Sequence, residues 1–139
     1  MKKIKISALL FSVALAGCAS SPVSNNEAKL IDSDRIISNK YSKPRENSST
    51  VIVKRDKGFM GSACSSRVYI NAVPLVDIDP GEYYEFYLNS GNYIISSAPN
   101  GICSGGMYET QINIEDPKTL KYRIGYGTNG DYFIVPTAF

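Results

Sequence analysis

The chain has 139 residues, 15 Lys and Arg against 13 Asp and Glu, 43% hydrophobic residues, no Trp and no His. That length suits one small domain and leaves no room for two sizeable cores. The lack of His removes the commonest general base and metal ligand together, so no serine–histidine or cysteine–histidine pair can form within the chain. A binding or structural role is therefore expected rather than an enzymatic one, with no cofactor and no metal.

The N-terminus reads Met1-Lys2-Lys3-Ile4-Lys5, then an apolar run from Ile6 to Leu15, then Ala16-Gly17-Cys18. The apolar run is roughly ten residues, half of the about 20 that a helix needs to cross a bilayer. A basic start, a short apolar stretch and small residues at its end form a cleavable signal. Leu15-Ala16-Gly17-Cys18 resembles the lipobox of bacterial lipoproteins. The resemblance implies that residues 1–17 are removed and that Cys18 carries a diacylglyceryl group on sulfur and an acyl chain on its new amine. The membrane is then a partner through this lipid anchor. Ala19, in place of the Asp that retains such proteins in the inner membrane, implies the outer membrane and a domain facing the periplasm. Loss of Lys2, Lys3 and Lys5 with the signal leaves 12 basic against 13 acidic residues, a net charge of −1. The apparent basicity belongs to targeting, and no nucleic-acid partner is expected.

Residues 18–49 are expected to be the lipidated cysteine and a flexible linker. Ser20-Ser21-Pro22, Ser24-Asn25-Asn26 and Lys43-Pro44-Arg45-Glu46-Asn47 are poor in apolar surface. As a free coil such a segment would reach about 30 Å. Leu30-Ile31 and Ile36-Ile37 are the exceptions, fit for one helical turn or a short edge strand.

Residues 50–139 are expected to form a small antiparallel β-sandwich of about seven to eight strands. Short β-prone runs alternate with turn residues: Thr50–Arg55, Arg67–Asn71, Val73–Ile78, Tyr83–Leu88, Tyr93–Ser97, Tyr108–Glu115, Thr119–Tyr126 and Tyr132–Val135. Alternation places Val68 with Ile70, Ile112 with Ile114, and Leu120, Tyr122, Ile124 and Tyr126 on inward faces. Tyr84, Phe86 and Ile94 are likewise expected inside. Pro74 marks an edge strand, because proline cannot donate to a ladder. Asn129-Gly130 predicts a hairpin. With Cys18 lipidated, Cys64 and Cys103 remain, and an even pair in an oxidising compartment predicts a disulfide.

Val68-Tyr69-Ile70-Asn71, Gly81-Glu82-Tyr83-Tyr84-Glu85-Phe86-Tyr87-Leu88 and Ser90-Gly91-Asn92-Tyr93-Ile94-Ile95 together resemble the PEGA-like β-sandwich, as does the opening strand Val51–Arg55 of small bacterial lipoproteins. Ala72 stands where that family usually turns on Gly, and Ser90 where Pro is common. The resemblance implies a fold and supplies no catalytic residues.

Several groups invite a chemical reading. Asp77, Asp79 and Glu82 flank a turn and offer oxygens of the kind calcium takes, without the dense Asp/Asn/Gly loop of a calcium motif. Gly101-Ile102-Cys103-Ser104-Gly105 has the glycines of a nucleophile elbow but neither a serine at the centre nor a histidine to serve it. Phe139 after Tyr132–Val135 is like the end of an outer-membrane barrel strand, but polar alternation favours a soluble sandwich. Among ten tyrosines, Tyr83, Tyr87 and Tyr93 are expected to face outward and form a binding surface. The function expected is that of a lipid-anchored envelope module that binds a protein or an envelope polymer. The alternative is an exclusion or lysozyme-inhibitor-like lipoprotein that blocks a partner protein.

Overall fold

The computed structural model describes residues 20–103 and 105–139. The lipobox-like Leu15-Ala16-Gly17-Cys18 and Ser104 lie outside the described residues. Among the described residues nine strands follow one another: β1 Lys29–Leu30, β2 Ser49–Arg55, β3 Ser65–Ile70, β4 Val73–Ile78, β5 Glu82–Leu88, β6 Gly91–Asn100, β7 Tyr108–Ile114, β8 Thr119–Tyr126 and β9 Tyr132–Pro136. They form two sheets, β1-β5-β2-β8-β9 and β4-β3-β6-β7, which pack face to face as a β-sandwich. Among the described residues no helix is long and apolar enough to cross a membrane.

Period-two alternation builds the core. Val51 and Val53 of β2, Val68 and Ile70 of β3, Phe86 of β5, Ile95 of β6, and Ile124 and Ile134 of β8 and β9 are all fully buried. Ile112, Ile114, Tyr122 and Tyr126 face inward as expected, and Leu120 packs against the same core. Pro74 lies on β4, which is an edge strand. Asn129-Gly130 falls in the turn joining β8 and β9, an antiparallel pair.

Three features depart from expectation. The first is pairing: β2 runs parallel to β8, and β1 parallel to β5. Between β2 and β8 the chain passes through the whole of the other sheet, which provides the long connection that a parallel pair needs. The second is the route between the sheets, where the turns at Pro80-Gly81 and Asn89-Ser90, signalled by their turn residues, fall. They carry the chain from one sheet to the other, since β5 lies in one sheet and β4 and β6 in the other.

The third is the expected flexible linker. From Ser20 onward it is laid against the sandwich. Val23 is 3% and Ile31 6% exposed, Ile31 within the core itself. Lys29–Leu30 extends the five-stranded sheet, a 3-10 turn follows at Ser33–Arg35, and Ile36 bridges to Val76. Arg35 closes the arrangement with two bonds of 2.6 Å to the Glu82 carboxylate and one of 2.7 Å to Asp79. A few apolar anchors and one arginine thus hold a segment whose average composition is polar.

Candidate functional site

Among the described residues, the connection 79–81 between β4 and β5, whose Gly81 N–H donates to the Arg55 carbonyl at 2.9 Å, and three longer loops gather at the end of β2. Asp56–Cys64 joins β2 to β3, 101–107 joins β6 to β7, and Gly127–Asp131 joins β8 to β9. Cys64 and Cys103 form the expected disulfide, with sulfurs 2.02 Å apart and Cα atoms 6.0 Å apart, so two of these loops are pinned together.

Lys54 and Arg55 end β2 and Asp56 follows it, three consecutive charges that are each 2% exposed. The pleat sends Arg55 inward after Val51 and Val53. Its guanidinium carbon lies 5.1 Å from the Tyr126 ring centre and 5.8 Å from that of Tyr132, a cation–π contact with both. Nη2 donates to the Gly61 carbonyl at 3.4 Å. The Tyr132 hydroxyl stands 2.6 Å from Ser97 Oγ. Burial raises the Tyr132 pKa, with Ser66, Ser97 and Arg55 working against it.

Lys54 and Asp56 turn to the opposite face. Lys54 Nζ donates to the Val23 carbonyl and to Asn25 Oδ1, both at 2.9 Å. Desolvation lowers its pKa, and nearby Lys121 adds to the effect. Asp56 Oδ2 accepts from Arg123 Nη1 at 3.1 Å and from Ser20 Oγ at 3.3 Å. Burial nevertheless holds its carboxyl above the ordinary carboxylate range. Ser20 is clasped further: its N–H donates to the Tyr126 carbonyl at 3.0 Å, and its Oγ accepts from the Tyr126 N–H at 2.8 Å. Ser21 and Lys57 exchange backbone bonds of 2.6 and 3.1 Å.

On the outer face of the five-stranded sheet lies a cleft of about 190 Å³ lined by Asn25, Ala28, Ile52, Lys54, Tyr83, Glu85 and Lys121. It exists because residues 25–28 run alongside the sheet and wall off one side. The expected tyrosine surface is only partly realised. Tyr83 lines this cleft, and Tyr87, four residues further along the same face of β5, hydrogen-bonds through its hydroxyl to Glu85. Tyr93 does not join them. It sits on β6 in the other sheet, packs against the core and donates its hydroxyl proton to the Asn89 carbonyl at 3.0 Å. Its neighbour Ile94 takes the outward position, 41% exposed, contrary to expectation.

The carboxylates weighed for calcium are turned toward guanidinium groups. Asp79 and Glu82 meet Arg35, and Asp77 takes a fork from Arg67 with two bonds of 2.8 Å. Lys54, Asp56, Lys121 and Arg123 are site residues that sequence reasoning misses. The run Lys54-Arg55-Asp56 signals only that Arg55 turns inward; the other four meet through the parallel pairing of β2 with β8, which has no local signal. No family model matches the chain, and neither does any curated protein or solved structure.

Proposed function

We propose that this protein is a non-enzymatic, lipid-anchored envelope module, held at the outer membrane through Cys18 and facing the periplasm. It binds another protein or an envelope polymer through the outer face of the five-stranded sheet. The observation that carries this reading is the Tyr83 cleft. There an aromatic ring, the carboxylate of Glu85, the ammonium groups of Lys54 and Lys121 and the amide of Asn25 border one depression. A rigid aromatic wall with a few convergent polar groups suits a polar, partly anionic partner such as a peptide segment or a glycan strand. The lipobox supports the location, since a tethered domain meets its partner without a free-diffusion step.

Photo-crosslinking in whole cells from the cleft rim tests the reading. The unmodified chain is expected to capture a discrete protein or a peptidoglycan fragment. The Y83A/K121A double variant is expected to lose that product with its melting temperature unchanged. Equal capture by the variant, or capture of nothing by either chain, counts against the proposal.

A further inference from the structure

The loops pinned by the disulfide carry the most exposed large apolar side chains among the described residues. Phe59 is 89% exposed and Ile102 95%, with Met107 at 53% and Tyr108 at 42% beside them at the same end. Scattered single apolar residues on a surface call for no explanation. Here, however, three of the eight exposed large hydrophobics lie on two loops that a covalent bond holds together, and a fourth, Tyr108, opens the strand that follows. Phe59 lies between Gly58 and Gly61 in one loop, and Ile102 follows Gly101 beside Cys103 in the other.

The course of the chain selects the occupant. Ser20 is fixed at this same end by its bonds to Tyr126 and Asp56, and Ser21 by its bridge to Lys57, two residues before Phe59. Cys18 is two residues before Ser20, and two residues span at most about 7 Å of extended chain. A lipid on Cys18 would therefore hold this end of the sandwich against the bilayer. Lys57, exposed in the same loop, offers a cation suited to lipid phosphates. Asn129 and Asp131 on the neighbouring turn keep the end from being uniformly apolar, which suits shallow contact at headgroup depth.

We infer that Phe59 and Ile102 insert into the membrane interface as a second contact beside the lipid anchor. The inference rests on the lipidation of Cys18 proposed with the function. The acyl chains supply the affinity, and the two loop tips fix the orientation. The Tyr83 cleft then faces sideways, close to the membrane surface.

The chain has no Trp, so F59W and F139W each introduce a single indole that can be excited apart from the ten tyrosines. Phe139 is 62% exposed at the opposite end. Each lipidated protein is reconstituted in phosphatidylethanolamine/phosphatidylglycerol vesicles with and without brominated acyl chains. The expected result is blue-shifted, several-fold quenched emission from F59W and unchanged emission from F139W. With F59W unquenched while the protein still floats with vesicles, lipidation stands and the inference fails. Equal quenching at both positions also overturns it, because the domain then has no fixed orientation. Absence of the lipid mass in the mature protein overturns the lipidation reading and the inference together. A non-lipidated C18S protein gives a second measurement, with weak vesicle binding that F59S/I102S lowers at least several-fold. No difference between those two proteins refutes an interfacial role for the loops.

Discussion

Gly125 decides whether the N-terminal segment stays clasped to the sandwich. A methyl group at this position would stand 2.4 Å from Ser20 Oγ, 2.5 Å from Asp56 Oδ2 and 2.9 Å from Phe133 Cζ. The Phe133 ring is only partly buried and can turn aside. Asp56 is held by Arg123 and cannot move far. Ser20 is therefore expected to leave in G125A, and with it go its N–H bond to Tyr126, the Tyr126 N–H bond to its Oγ, and its bond to Asp56. At about 1 kcal/mol for each net hydrogen bond the loss is roughly 3 kcal/mol. The lower chain entropy of Ala returns about 0.5 kcal/mol. A net cost of about 2–3 kcal/mol lowers the melting temperature of a domain this size by on the order of 10 °C. Thermal denaturation reads the total, and hydrogen exchange at residues 20–28 reads the release of the segment. In an S20A background G125A should cost less, because one of the clashing atoms is gone. A G125A protein that melts with the unmodified one and keeps residues 20–28 protected would refute the reasoning.

Three other outcomes are expected. A72G should stabilise the domain by about 0.5–1 kcal/mol in urea denaturation. Asn71 and Ala72 sit at φ 48° and 64° in the two-residue turn between β3 and β4, and the left-handed cost of about 1–2 kcal/mol at Ala exceeds the entropy that Gly loses on folding. Removal of the disulfide by C64S/C103S should cost about 2–4 kcal/mol, since the bridge closes a loop with a sequence separation of 39 residues. The same melt run with reductant should agree with it. D56N should reveal an inverted pH dependence. Because burial raises the Asp56 pKa above its ordinary 3.8, the folded state holds this proton more tightly than the unfolded state. The stabilising share of Asp56 is therefore present at low pH and fades as pH rises from 3.8 through its folded-state value. The stability of the unmodified protein relative to D56N should rise on acidification through that window, and a fall would contradict it.

Much of the sandwich is legible in the sequence because a half-buried strand writes its orientation in every second residue. Val68/Ile70 and Ile112/Ile114 admit one register only. At Tyr93-Ile94-Ile95 both parities are apolar, so alternation does not choose between them. In the structure Tyr93, Ile95 and Ser97 share the inward face, where the Ser97 hydroxyl meets Tyr132. Parallel pairing of β2 with β8 has no local signature at all, because it depends on where a long excursion returns. Docking of the linker is illegible for a related reason. Average composition measures whether a segment can hold itself, whereas Val23, Ile31 and Arg35 are held by a surface built elsewhere in the chain. The site is half legible: Tyr83 and Tyr87 fall on the expected face, but the charges around Tyr83 become a group only when residues 25–28 close beside the sheet.

The end of β2 then explains why the N-terminal segment is docked. Burying an unpaired ion costs several kcal/mol, so a buried charge persists only where its partners are fixed. The partners of Lys54 are Val23 and Asn25, and Asp56 draws on Ser20 as well as Arg123. The segment that precedes the sandwich thus supplies both hydrogen-bond acceptors of Lys54 and one donor to Asp56, whose ion pair is with Arg123. Lifting that segment would strip an ammonium and part of a carboxylate of their partners together, so docking is coupled to the integrity of the central strand of the five-stranded sheet. The coupling gives the polar stretch after Cys18 a purpose other than reach. A flexible tether of about 30 residues would let the domain turn freely above its anchor. A clasp beginning at Ser20 passes whatever holds Cys18 directly to the strand that carries Lys54. A lipid on Cys18, as proposed, would act two residues before this clasp and so restrict the direction of the Tyr83 cleft.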